Sequence, residues 1–508
     1  MFAWIICAAA AVPLVYFLIV YQFSYWKRRG ITQLTPAFPF GDLGPFFRQR
    51  SSLGVVYADA YNLCKRLPFV GIYFSLRPML VVNDPEVIKN VLVRDFDHFH
   101  DRGLYVNEEK DPLSGHLFAL GGEQWRHHRS KLTPTFTSGR LKEMFTNLVQ
   151  IGRVLQDHVA KRVGEDIEIR DVMARYTTDI IASVGFGIEN DSINEKGNIF
   201  REMGTKVFST DLKTILRLTS TFFTPKLNAL FGFKFIAQEI EDFIMNVVRE
   251  TLEYRESNNV VRKDMMQLLM QLRNSGTVSI DDRWDIEVST NKNKLSLEQV
   301  TAHAFVFFIA AYETSSTTIS FCLFELARNP EIQKKVQQEI DQVLASHNGE
   351  ITYDNINEMK YLENCIDETL RKYPAVPFLN RECSKDYKIP GTDTTIEKGT
   401  SLVVPVLGLH RDPDYYPEPD RFIPERFSNF EDISTKPYLP FGAGPRNCIG
   451  LRLGKLQTKT GLVMMLSKFS VRLADETYVR KELALDARSV VLMPVGGIKA
   501  SISERRAS

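Results

Sequence analysis

The sequence predicts a mainly α-helical protein with a minor β part, built as a single large helical domain behind an N-terminal transmembrane helix. Three features carry this expectation. The run from Met1 to Trp26 holds no charged residue and is dense in Ile, Val, Leu, Phe and Ala. Helical spacing of apolar residues dominates from Trp125 to about residue 272 and returns beyond Ser296. Strand-like runs are short and few. At 508 residues, 44% apolar and 25% charged, the composition is that of a folded globular chain and excludes a mainly disordered one. The 63 basic and 62 acidic residues cancel, so no overall field favours nucleic acid or an acidic substrate.

Residues 1–26 read as the membrane anchor. A helix of that length runs about 39 Å, against a hydrocarbon core of about 30 Å. Trp4 and the group Tyr21, Tyr25, Trp26 fall near its ends, where amphipathic rings prefer the interface. Lys27, Arg28 and Arg29 follow at once, which places everything downstream in the cytosol. A cleaved signal peptide would need a positive n-region, which is missing. Residues 27–50, with Pro36, Pro39, Gly41, Gly44 and Pro45, read as a stiff linker, and 51–508 as the body of the protein.

In the body, Phe69–Phe74 and Met79–Val82 read as strands around a turn at Arg77-Pro78, and Asn83-Asp84-Pro85 as a helix start. Residues 274–293 read as a polar loop. Ser296 and Gln299 have capping-box spacing and open a helix that continues to Asn329-Pro330, roughly 50 Å. Pro330 begins another helix, ending near Asn348-Gly349, and a further one runs from about Ile356 to Lys372 before Pro374. Short strands are expected around 389–406, then a Pro-rich stretch, then a loop into a last helix. No G-x-G-x-x-G follows a strand and no phosphate-binding loop is present, so a nucleotide-binding fold has no support.

Six cysteines, none in a C-x-x-C pair, are too sparse for a disulfide scaffold and fit a reducing compartment. Cys448 stands apart. It lies in Phe441-Gly442-Ala443-Gly444-Pro445-Arg446-Asn447-Cys448-Ile449-Gly450, a tight glycine-rich loop entering a helix. A helix N-terminus, its free N–H groups and Arg446 two residues away all favour an anionic sulfur, the form a soft metal ligand takes. A buried structural cysteine on a Gly-rich turn is the alternative. Yet the order Phe-x-x-Gly-x-Arg-x-Cys-x-Gly is the signature of the haem-thiolate monooxygenases, the cytochromes P450, and its five fixed positions match by chance about once in ten thousand chains of this length. The sequence resembles that family, and the resemblance implies the cytochrome P450 fold, with Cys448 as the axial thiolate of haem b (iron protoporphyrin IX) and Phe441 in the loop beside the cofactor.

Three further motifs stand in the family's order. Glu368 and Arg371 are three apart on one helix face, a spacing that usually means a solvated pair; in the family the pair is buried and completed by a downstream arginine, here Arg426. Ala310-Ala311-Tyr312-Glu313-Thr314 follows the apolar run Phe305–Ile309. Glu313 there can lie on a polar stripe with the hydroxyls bonded back to the preceding turn. By resemblance it belongs to the oxygen-activation motif: Thr314 hydrogen-bonds bound dioxygen and Glu313 links it to a water chain. Ala311 stands where the family mostly has Gly. Trp125 and Arg129, one turn apart, suit an ordinary amphipathic helix, but by resemblance donate to a haem propionate, joined by Arg381 and Arg446. His410 reads as a structural histidine.

The resemblance covers nearly the whole chain, and the finer texture is similar to insect microsomal members that oxidise foreign compounds. It implies a monooxygenase of the endoplasmic reticulum membrane that inserts one oxygen atom of O2 into lipophilic substrates such as xenobiotics, plant compounds or insecticides. Electrons would come from NADPH through NADPH–cytochrome P450 reductase, with cytochrome b5 as a second partner and nucleic acid as none. Arg126, Lys131, Lys436, Arg452 and Lys455 are candidates for the reductase face. By analogy the substrate pocket draws on residues 101–123, the helix around Phe305–Ala310, the turn Val376–Leu379 and Leu492–Val495, with Phe118, Phe308, Ala310 and Phe378 as walls. Two rival classes remain: a haem-thiolate isomerase needing no reductase, and a non-catalytic haem-binding protein. Neither needs a Glu313–Thr314 pair.

Overall fold

The computed structural model describes residues 2–209, 211–223, 228, 234–278, 284–285, 294–479 and 481–505. The N-terminal helix spans Phe2–Gln22, about 32 Å, which still matches a bilayer core. It ends earlier than the sequence suggested, because Trp26 belongs to the body. The indole is 1% exposed, its N–H donates to the Ile72 carbonyl at 3.3 Å, and it fills the space that a side chain on Gly71 would need. Tyr25 likewise donates its hydroxyl to Glu397, and Arg29 pairs with the same carboxylate at 2.6 Å. The expected linker 27–50 is therefore not a free spacer: Ile31, Leu43 and Phe46 are buried against the first sheet.

Strand β1 (Phe69–Phe74) pairs antiparallel with β2 (Arg77–Val82), so the turn falls at Ser75-Leu76 rather than Arg77-Pro78. Ser75 carries the positive φ that this tight turn requires. Asp84 caps the helix Pro85–Lys89 by accepting from the N–H groups of Glu86 and Val87. Strand β3 (Asp166–Glu168) precedes β4 (Leu379–Glu382), the two-residue strands β5 (Tyr387–Lys388) and β6 (Thr395–Ile396), and β7 (Ser401–Val404). The main sheet has the order β1-β2-β7-β4, with β2 and β7 parallel in the register Leu80↔Leu402. Strands β8 (Phe469–Leu473) and β9 (Lys499–Glu504), which the sequence reading left out, make a second sheet with β3.

The rest is helical, and its axis is the long helix Leu297–Arg328. Ser296 and Gln299 form the reciprocal capping box that their spacing predicts, and Asn329-Pro330 ends the helix and starts Pro330–Ser346. The long helix is buried on nearly every face, packed by the helices Ile169–Ile181, Lys360–Lys372 and Leu451–Lys468. A helix that is apolar all round belongs in a core or a membrane; this one is core, with 78% of its most apolar window inside the protein. The loop expected at 274–293 lies largely outside the described residues.

Candidate active site

Cys448 sits three residues before the helix Leu451–Lys468. Its backbone N–H donates to the Phe441 carbonyl at 2.8 Å, and Asn447 N–H donates to Gly444 O at 3.0 Å, which closes the loop on itself. Gly444 has φ +71, and a Cβ there would lie 1.9 Å from the Leu92 carbonyl oxygen. Only glycine lets the loop press so close. The Cys448 side chain is exposed, but into a cavity inside the protein and not to bulk water. That enclosure raises the thiol pKa; a backbone N–H at Gly450 and the charges of Arg129 and Arg102 oppose the rise without reversing it. The expectation that helix position and Arg446 would make the sulfur anionic thus needs correcting. Arg446 turns away, its guanidinium 4.4 Å from the Trp125 ring and donating to the carbonyls of Phe118 and Leu120. A metal ion bonded to the sulfur would pull it back toward the thiolate.

Four arginines line the same cavity: Arg102, Arg129, Arg381 and Arg446. Arg129 donates twice to Asn447, to its carbonyl and its side-chain oxygen, both at 2.9 Å, and so holds the cysteine loop. Arg381 donates to Asn380 O at 2.8 Å, and Arg102 stacks over the Phe118 ring at 4.0 Å. Burial, then the Arg446 charge, pulls Arg381 down to about 9; burial, then Arg102, pulls Arg446 down to about 8. A guanidinium does not surrender its proton in a protein. The lowering reflects burial first and the neighbouring positive charge second, and an anion placed among these groups would offset both. The Nε atoms of Arg102, Arg381 and Arg446 have no hydrogen-bond partner among the described residues. Trp125, buried beside them, lines the cavity too. An inward-facing thiol, a glycine-built loop and a group of under-used guanidiniums fit a flat macrocycle with a soft axial ligand and carboxylate arms. The residues present fit haem.

On the facing wall stands the long helix, contributing Val306, Phe307, Ala310, Ala311, Thr314, Ser315 and Thr318. Thr314 donates its hydroxyl to the Ala310 carbonyl at 2.6 Å. Glu313 is 1% exposed and points elsewhere: Arg170, at the start of Ile169–Ile181, donates to its carboxylate at 2.7 Å, and Thr317 donates at 3.3 Å. A buried acid in an apolar helix is tolerable with such a partner. Its neighbour Tyr312 takes a short hydrogen bond from Arg201 of the helix Ile199–Val207, and Arg201 also pairs with Asp171 at 3.1 Å.

Of the expected walls, Phe118 and Ala310 line the cavity. Phe308 does not; it is core, packed edge-on against Phe186 and Phe200. Phe378 is core as well, T-shaped against Tyr57 at 5.0 Å, while its neighbours Val376 and Leu379 reach the cavity. Leu492–Val495 are absent from the described lining. Lys455 is no free surface cation, since Asp367 and Glu363 hold it at 2.9 and 3.3 Å. Arg126 is paired with Asp97. Arg102 and Leu117 line the cavity from the expected stretch 101–123, although neither was singled out there, and Gln457 is a cavity residue that sequence reasoning missed.

Glu368 and Arg371 are both 0% exposed and joined by two bonds, Nε to Oε2 at 2.6 Å and Nη2 to Oε1 at 2.9 Å. Ile423 N–H and Arg426 Nε add donors to the same carboxylate at 2.9 and 3.3 Å. Arg371 also donates to the carbonyls of His410 and Pro419. This knot pins residues 410–426, the stretch ahead of the cysteine loop, to the helix Lys360–Lys372. His410 is structural: its Nε2 accepts from Leu439 N–H at 2.8 Å, and burial lowers its pKa to about 3.

A helical body enclosing a cysteine that faces a basic, cofactor-sized cavity defines the class of the haem-thiolate proteins. Comparison with known proteins agrees. Residues 44–500 match the family model described as Cytochrome P450. Relatives include "Probable cytochrome P450 6d5" of Drosophila melanogaster, 40% identical over 98% of each chain. Cytochrome P450 6d3 of Musca domestica is 38% identical over 95% of each chain, and cytochrome P450 6k1 of Blattella germanica 39% identical over 97% of this chain and 95% of its own. The chain belongs to the cytochrome P450 family, the haem monooxygenases.

Proposed function

We propose that the protein is a membrane-anchored monooxygenase that inserts one oxygen atom into neutral lipophilic substrates, foreign or plant-derived compounds among them. In this reading it draws electrons from NADPH through NADPH–cytochrome P450 reductase, with cytochrome b5 as an accessory donor. The helix Phe2–Gln22 followed by Lys27–Arg29 supports an anchor in the endoplasmic reticulum membrane with the body in the cytosol. The observation that carries the activity is that Cys448 and Thr314 open onto one cavity.

When bound, haem supplies the iron at which dioxygen is reduced and activated. Cys448 would hold the iron through its sulfur, and Trp125, Arg129, Arg381 and Arg446, with Arg102 added, would donate to the propionates. Thr314 has given its own proton to Ala310, so its lone pairs face the cavity. It acts as an acceptor that orients a proton-bearing water. Glu313 stands one residue away with its carboxylate held by Arg170. Leu117, Phe118, Val306, Phe307, Val376 and Leu379 shut out bulk water and favour an apolar guest. No carboxylate is among the described lining residues, so a cationic amine finds no counter-charge there.

The test is reconstitution of the full chain with reductase in lipid, following NADPH consumption and product over a panel of neutral lipophiles. Product that requires both reductase and NADPH supports the reading. Turnover of a peroxide without either would replace it with an isomerase.

A further inference from the structure

We infer that the chain has no hinge between its N-terminal helix and its body: Gln22 to Gln33 form a rigid seat, and this seat sets one angle at which the body meets the bilayer. The inference rests on the proposed membrane anchor and goes beyond it.

The helix Phe2–Gln22 does not run out into loose chain. Its backbone hydrogen bonding continues past its end: Phe23 N–H donates to Ile19 O at 2.9 Å, Tyr25 N–H to Gln22 O at 3.1 Å and Arg28 N–H to Ser24 O at 2.9 Å. The first sheet grips the same residues from the body side. The Gln22 amide donates at 2.9 Å to the carbonyl of Leu76, in the turn between β1 and β2, and the Phe23 ring meets Tyr73 edge-on at 5.3 Å. Trp26 follows, buried over Gly71, and its backbone N–H donates to the Tyr73 hydroxyl at 3.2 Å.

Gln33 closes the arrangement. Residues 32–34 run beside β1, with Gly71 N–H donating to Thr32 O at 2.8 Å and Leu34 N–H to Gly71 O at 3.0 Å. The Gln33 side chain then reaches both anchor and sheet. Its Nε2 donates to the Phe23 carbonyl at 2.8 Å, and its Oε1 accepts from the Tyr73 hydroxyl at 2.9 Å and from Lys27 N–H at 3.3 Å. Both ends of the amide are used, so its orientation is fixed. A hinge needs a few residues free to absorb large changes in φ and ψ. Here a buried indole, a ring pair and bonded backbone occupy that stretch. Turning the helix against the body requires Trp26 to leave its slot.

Two measurements on the full, haem-loaded chain test this. The first is linear dichroism of the haem in oriented bilayers. The reference is a chain with about ten Gly and Ser residues, a flexible spacer, inserted between Gln22 and Phe23. Wild type should be strongly ordered, and Trp26→Ala and Gln33→Ala should fall toward the reference. Wild type no more ordered than the reference overturns the proposal. So does wild-type order in Trp26→Ala, or in Gln33→Ala where Trp26→Ala loses its haem spectrum and so its fold. The second is tryptic cleavage in detergent at Lys27, Arg28 and Arg29, which are exposed but enter a protease only when the seat opens. Truncating a buried Trp should speed the cut by roughly a hundredfold, and Gln33→Ala, which loses three hydrogen bonds, by about tenfold. Wild type cut as fast as the reference overturns the seat. The detergent measurement needs no bilayer: a chain washed from vesicles by alkaline carbonate refutes the anchor, while the seat is still decided by trypsin.

Discussion

Removing the Glu368 carboxylate should cost this protein more stability than almost any other single change. Glu368→Ala deletes one partner of a fully buried ion pair, leaves Nε of Arg371, Nε of Arg426 and the backbone N–H of Ile423 without that acceptor, and takes one of the bonds from Nη2 of Arg371. Breaking a buried pair from one side costs about 3–5 kcal/mol, because the surviving charge stays buried. Against a typical folding stability of about 5–15 kcal/mol that is a large share. It shifts the folded-to-unfolded ratio by a factor of roughly 140 to 3,700, at about 1.4 kcal/mol per tenfold. Arg371→Ala should cost as much, since it also strips the carbonyls of His410 and Pro419 of their donor. The double variant should lose much less than the sum, because both changes unmake the same contact. Urea midpoints of the full chain in detergent, read by tryptophan fluorescence, give all three values. Single losses below about 1 kcal/mol, the worth of an exposed pair, or fully additive losses, would refute the reasoning.

Other changes probe the site itself. Thr314→Ala should leave the haem spectrum intact while more NADPH is diverted to peroxide; unchanged coupling would remove its role in proton delivery. Arg102→Leu should weaken haem retention by about ten- to a hundredfold, the worth of one charged hydrogen bond of roughly 1.5–3 kcal/mol, measured as transfer to a haem-scavenging globin; wild-type retention would free Arg102 from that role. Gly444→Ala should displace the cysteine loop, since its Cβ would meet Leu92 O at 1.9 Å, and yield protein with a disturbed haem spectrum; an undisturbed one would contradict the close approach. Burial holds both His116 and His128 down to about 4, below the 6.5 of an unfolded chain. Between those values the unfolded state binds more protons, so the stability is present above pH 6.5 and is lost as pH falls toward 4. Each histidine contributes a slope of at most about 1.4 kcal/mol per pH unit. His128→Phe, which gives up the 2.7 Å contact with His303, should flatten unfolding midpoints over that window, and an unaltered slope would count against it.

The parts legible in the sequence were those whose chemistry is written in consecutive residues. The loop around Cys448 needs its glycines next to the sulfur, and the capping box Ser296–Gln299 sits within one turn, so neither depends on distant chain. Glu368 and Arg371 were visible as a pair, but their burial was known only through the family pattern, because three-residue spacing alone describes surface helices equally well. What stayed hidden depends on contacts across the fold. Arg102 lies in an irregular loop with no spacing to mark it, and becomes notable only beside Arg129, Arg381 and Arg446. Arg170 reaches Glu313 across 143 positions. Phe308 lies two residues from Ala310, and helical period does not say which face meets the cavity when the whole helix is apolar. Trp26 looked like an interfacial ring because its hydropathy is the same whether lipid or Gly71 receives it.

The most direct test of the central assignment is the carbon monoxide spectrum of the reduced enzyme. Wild-type protein should show the red-shifted band that thiolate ligation produces, and Cys448→Ser should lose that band even where haem is retained. A Cys448→Ser enzyme with the band intact would mean that some other residue holds the iron.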